Sequence, residues 1–255
     1  MKDESLLDLL RRNLRATGAL AYYIGVLPML RVPTLLPFVF ATPFTILFIL
    51  FIAGQRTAFA YGLAGAMTMT ATQQGLFLGA DLTGLKIDHK FQSMVVASPV
   101  SPFTYMFSVA LSELAFATPA VVVLTAIISY TTVGFGLLAL LEMILVIVLT
   151  WVMTSSIGFF LSTYVFNTRT AFITVSFISI VLSILPPVFY PINTLPAFLR
   201  PVAELIPTTH SANLIRSVMG MPSGSSEMFV SWLALPAFTI AFLSLALLKA
   251  KWREP

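Results

Sequence analysis

Apolar and polar positions along this chain fall into long blocks. Six apolar stretches stand out: Thr34–Gly54, Thr57–Ala80, Phe103–Ser129, Gly134–Ser162, Ala171–Tyr190 and Met228–Leu248. Each is near the roughly 20 residues that a helix needs to cross hydrocarbon. Of 24 charged residues, 14 basic and 10 acidic, only Glu113 and Glu142 lie inside these stretches. A charge at the bilayer centre costs roughly 2.5–3.5 kcal/mol on insertion scales. A soluble chain gains nothing by segregating charge in this way. The pattern predicts an all-α integral membrane protein of six transmembrane helices.

The polar blocks carry their own organisation. Leu6, Leu7, Leu10 and Leu14 share one face of a short N-terminal amphipathic helix with Arg11, Arg12 and Arg15 towards its end. Such a helix lies in the membrane interface with its apolar face down, either as a plain anchor or as a docking surface. Thr17–Pro33 is apolar but broken by Pro28, Arg31 and Pro33, and it reads as a continuation of the interfacial segment. After the fifth stretch, Pro186, Pro187, Pro191, Pro196, Pro201 and Pro207 punctuate an apolar run. Proline breaks helices, so this run predicts short helices that dip back into the membrane as a re-entrant hairpin. The expected organisation is an interfacial segment, 1–33, and a transmembrane domain, 34–255. That domain has an inside loop at 81–102 and an outside hairpin at 186–220.

Composition narrows the function. Only 9% of residues are charged and the mean hydropathy is +0.96, against about 25% charged in an ordinary globular domain. One polytopic domain uses the whole length, with no room for a soluble catalytic domain. The basic balance suggests nucleic acid less well than it suggests the positive-inside bias. With both termini inside, eleven basic residues fall inside and three (Arg56, Arg200 and Arg216) outside. The first 16 residues are charged rather than apolar, so no cleavable signal peptide is expected. There is no cysteine, which excludes disulfides and thiolate metal sites.

Polar residues within the stretches are the candidates for function. The second stretch carries Met69, Gln73 and Gln74 and the pair Gly75-x-x-x-Gly79; small residues at this spacing let helices approach closely. Two adjacent glutamines in hydrocarbon need partners, either as interhelical glue or as a pathway lining. Glu113 and Glu142 are intramembrane acids and hence candidate functional groups. The short gap Tyr130–Val133 places the third and fourth spans as antiparallel neighbours. Catalytic patterns are missing. Gly79–Lys86 has the two glycines of a phosphate loop, but Leu85 stands where lysine is required. His89 and His210 fall in polar gaps on opposite sides and form no common site.

The layout resembles the ABC type-2 exporter permeases. The likeness rests on LKIDHKFQSMVVASPVSPFTYMFSVALSEL after the second span and on PPVFYPINTLPAFLRPVAELIPTTHSANLIRSVMG before the sixth, with a weaker match at RVPTLLPFVFATPFTILFILFIAG. The acidic residue and glycine usual early in the inside loop stand here as Asp81 and Gly84. The resemblance implies a half-transporter in the cell membrane: two permease chains form the pathway and separate ATPase chains bind beneath. ATP and magnesium would then sit on the partner and no cofactor on this chain. The helix around Asp88, His89 and Lys90 would dock on the ATPase, with Arg11 and Arg12 of the N-terminal helix contributing. The second and fifth spans would line the route, which gives Met69, Gln73, Gln74 and Phe177 a pathway-lining role beside Glu113. The substrate class would be a drug, lipid or glycan-type compound, and nucleic acid is not an expected partner. The competing expectation is a membrane-embedded enzyme acting on lipid-like substrates through Glu113 or Glu142.

Overall fold

The computed structural model describes residues 6–54, 56–88, 101–222 and 224–249, and all regular structure there is helical. Helix α1, Leu6–Ala21, passes directly into a π-helical turn, Tyr22–Val26, and then α2, Leu27–Arg31. The wider π turn takes up the clash that the Pro28 ring makes with the preceding turn. The rod ends at Val32 (φ −126°, ψ 75°), which Pro33 holds out of the helical region. It packs along α5, Pro102–Thr131. Gly25 permits this: a Cβ there would lie 2.8 Å from Ser112 Cα.

Helix α3, Leu36–Ile52, and helix α4, Arg56–Ile87, form a hairpin whose turn uses Gly54 at φ 73°. At about 1.5 Å per residue, α4 is roughly 48 Å long, more than the ~30 Å of hydrocarbon. The sequence places its end at Ala80; the helix instead runs on to Ile87. Leu78 and Leu82 pack with Tyr105 and Val109 of α5, and Thr83 Oγ1 donates to the Gly79 carbonyl at 2.7 Å. No proline interrupts the run. The remainder of the expected inside loop, 89–100, with its docking residues His89 and Lys90, lies outside the described residues.

Ser101 starts α5, its Oγ accepting from Thr104 N at 3.1 Å. Then come α6, Leu137–Tyr164, and α7, Thr168–Ile184, which is capped by Asn167 Oδ1 accepting from Arg169 N at 2.8 Å. A broken segment leads through α8, Arg200–Glu204, and α9, Pro207–Val218, to α10, Ser225–Lys249. Three helical runs are long and apolar enough to cross a membrane: Thr104–Thr131, Leu137–Tyr164 and Ser226–Leu248. Val39–Ile52 and Thr168–Ile184 are apolar but shorter.

Helix α4 is the hub, packing on α3, α5, α6, α7 and α9. Leu63 and Met67 of α4 join Leu124, Met143, Leu214 and Leu235 from four other helices in the main core. In lipid, helices gain little from apolar burial against one another, so close backbone approach decides who pairs with whom. The Gly75–Gly79 pair does this for α4. A Cβ on Gly75 would collide with Thr154 Oγ1, and one on Gly79 with the Gly158 carbonyl of α6. The expected α5–α6 neighbourhood is present through side chains rather than through close backbone approach. Both pack closely on α4, α6 also on α10 and α5 also on α1 and the π turn, and side chains of the two, Tyr105 and Trp151 among them, share one cluster.

Candidate functional site

The polar residues of α4 follow two different faces. Thr68, Thr70, Thr72 and Gln74 are buried. Thr68 and Thr70 satisfy their hydroxyls within the helix, on the Ala64 and Ala66 carbonyls at 3.0 and 2.8 Å. Met69 is fully buried, while Gln73 is half-buried one turn from Phe77. Phe77 tilts onto Phe172 of α7, with ring centroids 6.1 Å apart. Phe177 is 66% exposed in a stripe with Ile173, Ile180 and Ile184. The residues expected to line a pathway are therefore not gathered in one chain: Met69 and Gln74 face inward and Phe177 faces out.

Glu113 of α5 is 3% exposed. Its carboxyl lies near that of Asp81 on α4, and Asp81 is half-buried. Among the described residues, no donor reaches Glu113 Oε1. Glu142 takes no part. It is half-buried on α6 roughly 8 Å from Leu137, whereas Glu113 lies roughly 27 Å from the Thr131 end of α5. Glu113 and Glu142 thus occupy opposite halves of the bundle and form no common site. Among the described residues, no three His, Cys, Asp or Glu side chains are grouped to hold a metal ion.

At the Arg56 end, the proline-rich segment folds back onto the core. Arg216 of α9 is 6% exposed and donates from Nη2 to the carbonyls of Pro187 at 2.5 Å and Val188 at 2.6 Å. Nη1 donates to Asn213 Oδ1 at 3.0 Å, and the guanidinium lies 4.6 Å from the Tyr61 ring centroid. Burial lowers the guanidinium to about 10, opposed by Tyr61, so it stays charged at neutral pH. Phe189 packs directly on Gly65 of α4, where a Cβ would collide with its ring.

The rest of α9 carries a buried polar row. Thr208 Oγ1 donates to Leu182 O at 2.5 Å and Thr209 Oγ1 to Ala203 O at 2.6 Å. Ser211 Oγ pairs with Thr150 Oγ1 at 2.6 Å; the Thr150 proton goes to Val146 O, so Ser211 is the donor. His210 is 4% exposed rather than in a polar gap. Its Nε2 must donate to the Glu204 carbonyl, 2.8 Å away, so Nδ1 accepts from Ser231 at 3.1 Å. Burial pushes this imidazole below its ordinary value, against the pull of Glu204. A cavity of about 160 Å³ opens beside it, bordered by Glu204, Asn213 and Glu227.

Of the docking residues, Arg11, Arg12 and Asp88 are exposed, the first two on α1 and Asp88 just past α4. Sequence reasoning missed the nearness of Asp81 to Glu113 and the roles of Arg216 and His210. The available signal was an arginine and a histidine inside an otherwise apolar proline-rich run.

A model of the family described as ABC-2 type transporter matches residues 22–220, from the π turn to just past α9. No curated protein matches the chain.

Proposed function

Because the chain belongs to the ABC-2 type transporter family and is thereby a membrane component of an ABC transporter, we propose that it is the permease half of an ATP-driven exporter. Two such chains, identical or paired with a relative, form the pathway in the cell membrane. Separate ATPase chains bind on the cytoplasmic side and hold the ATP and magnesium. The cargo is a drug, lipid or glycan-type compound.

One observation carries this reading. Helix α4 is unbroken from its contact with Phe189 in the proline-rich hairpin to Asp88, where the expected docking segment begins. A rigid rod of this kind passes a displacement at one end to the other, as a machine with its motor on another chain requires. In this reading α3, α4, α5, α6, α7 and α10 are the six spans and both termini are cytoplasmic. The hairpin is re-entrant: Ser211 meets Thr150 roughly 20 Å along α6 from Leu137. Irregular backbone at that depth is tolerated where protein covers it, and here Arg216 and the core do so. Asp88, His89, Lys90, Arg11 and Arg12 face the ATPase. Gln73, Gln74, Met69, Phe177 and Glu113 serve the route, with the exposed Phe177 stripe turned to the second chain. Two states of the dimer must differ in affinity for cargo for ATP to drive transport.

The test is a mild-detergent pull-down of the tagged chain from its native membrane, followed by ATP hydrolysis assays. A stoichiometric ATPase chain is expected; a lone chain without hydrolysis overturns the reading.

A further inference from the structure

A cleft opens on the side of the bundle between α5 and α10. Each packs on an inner neighbour, α5 on α4 and α10 on α6, and the two have no extensive contact with each other. Met106 and Ala110 of α5 form one wall and Leu243 and Leu247 of α10 the other, over a floor that runs from Trp151 to Phe159 on α6; the space is about 260 Å³. Its surface is apolar. Ser156 Oγ donates to Val152 O at 2.7 Å, and Ser155 Oγ is buried. We propose that the cleft binds one acyl chain of an anionic phospholipid, whose headgroup lies against the basic residues at the end of α10.

Shape favours a single chain. Thr239 Oγ1 lies 3.3 Å from Leu149 O and sets the register of α10 on α6. Phe159 and Lys249, each ten residues further along, are therefore level. Trp151, eight residues back, is roughly 12 Å deeper. A space of about 260 Å³ over that length is roughly 22 Å² in section, the girth of one hydrocarbon chain. Water does not fill an apolar space of this kind, and an empty one forfeits the contacts of its lining. Phe107 and Leu247 at the rim are exposed, so a lipid chain enters from the side without a helix moving.

Charge decides the headgroup. Helix α10 ends at Lys249, level with Phe159, and Lys251 and Arg253 follow in sequence against one acid, Glu254. Lysine and arginine just outside a span attract anionic lipid. A lipid whose chain descends from Phe159 towards Trp151 has its phosphate at this level. Bound there, it bridges two helices that the protein itself leaves apart. The site requires the membrane setting of the family and neither cargo nor ATPase, so it is tested on this chain alone.

The first test uses the full-length chain with Trp232→Phe and Trp252→Phe, which leaves Trp151 as the sole tryptophan. Trp151 is 5% exposed, so lipid that merely surrounds the bundle reaches it poorly. In phosphatidylcholine nanodiscs with a minor share of phosphatidylglycerol brominated at mid-chain, its fluorescence should be quenched several-fold more than by the same share of brominated phosphatidylcholine. Equal quenching by the two lipids, or none by either, overturns the proposal. The second test is native mass spectrometry with dioleoyl phosphatidylglycerol added. One lipid per wild-type chain should stay bound. Binding should fall several-fold in Ala110→Leu, which fills the cleft, and in the triple variant Lys249→Ser, Lys251→Ser and Arg253→Ser. It should be unchanged in Val122→Leu, on the exposed face of α5 outside the cleft. Wild-type retention in Ala110→Leu or in the triple variant, or an equal loss in Val122→Leu, overturns the proposal. The quenching test alters no residue of the cleft and decides the matter if Ala110→Leu fails to fold.

Discussion

Gly158 of α6 rests on the main-chain oxygen of Leu76 in α4: a Cβ on Gly158 would stand 2.6 Å from that oxygen. Backbone cannot step aside as the tip of a side chain can. Gly158→Ala is expected to force the two helices apart and to cost about 1–3 kcal/mol, the usual range for overpacking. Gly18→Ala is the contrast. Gly18 lies in α1 with nothing within 4 Å of a built Cβ, so alanine should stabilise by about 0.5–1 kcal/mol. Thermal melts in detergent should move in opposite directions for the two variants; equal shifts would refute the packing argument.

Arg216 is expected to resist replacement by lysine. The planar guanidinium reaches the Pro187 and Val188 carbonyls and Asn213 together, whereas an ammonium is a point charge without that fork. Hydrogen bonds to a charged group contribute about 1.5–3 kcal/mol each. Arg216→Lys should therefore lower stability by at least about 2 kcal/mol and open the Pro186–Tyr190 turn to added protease. Unaltered digestion of that turn would sink the claim.

His210 makes the hairpin sensitive to acid. Its folded value lies below the ordinary 6.5 because of burial, so its contribution is complete above that pH. It is lost as pH falls through the lower folded value. Protonation would oblige Ser231, now the donor to Nδ1, to turn round and accept. Acidification below pH 6.5 should lower the melting temperature of the wild type more than that of His210→Asn. Superimposable profiles would exclude His210 as the source.

Asp88→Ala combined with Lys90→Ala tests the exporter reading at its coupling end. With the ATPase partner bound, the double variant should express normally and show a several-fold loss of transport-coupled ATP hydrolysis. Hydrolysis equal to wild type would count against docking through this segment.

The apolar blocks located the helices well, because hydrocarbon and a dry core both reject charge. Each of the six stretches overlaps one long helix, α3 to α7 and α10. The fifth helix stops at Ile184, ahead of the prolines that follow. Gly75 and Gly79 were legible as a contact pair, since their spacing puts both on one face. Their partner Gly158 was not, because a single glycine within α6 has no spacing to read. The end of α4 was misplaced at Ala80, before Asp81, for a related reason. A charge beside an apolar run suggests water, and the α5 side chains that Leu82 packs on stand far away in sequence. His210 suffered the same error, its partners Glu204 and Ser231 being assembled only by the fold. Of the residues assigned to a pathway, Phe177 alone is broadly exposed, because burial depends on neighbours that one sequence does not reveal.

The arginine that fastens the hairpin grips it largely by peptide oxygens, which every residue supplies. The curve of the turn is thereby insulated from most of the side chains that it displays. Ile192 and Asn193 can be exchanged while the loop keeps its trace, whereas Tyr190, whose hydroxyl donates to Leu185 O at 2.7 Å, belongs to the fastening. Diversification of such a transporter would then concentrate in the residues between Arg216's handholds and the start of α8, while the arginine itself stayed put.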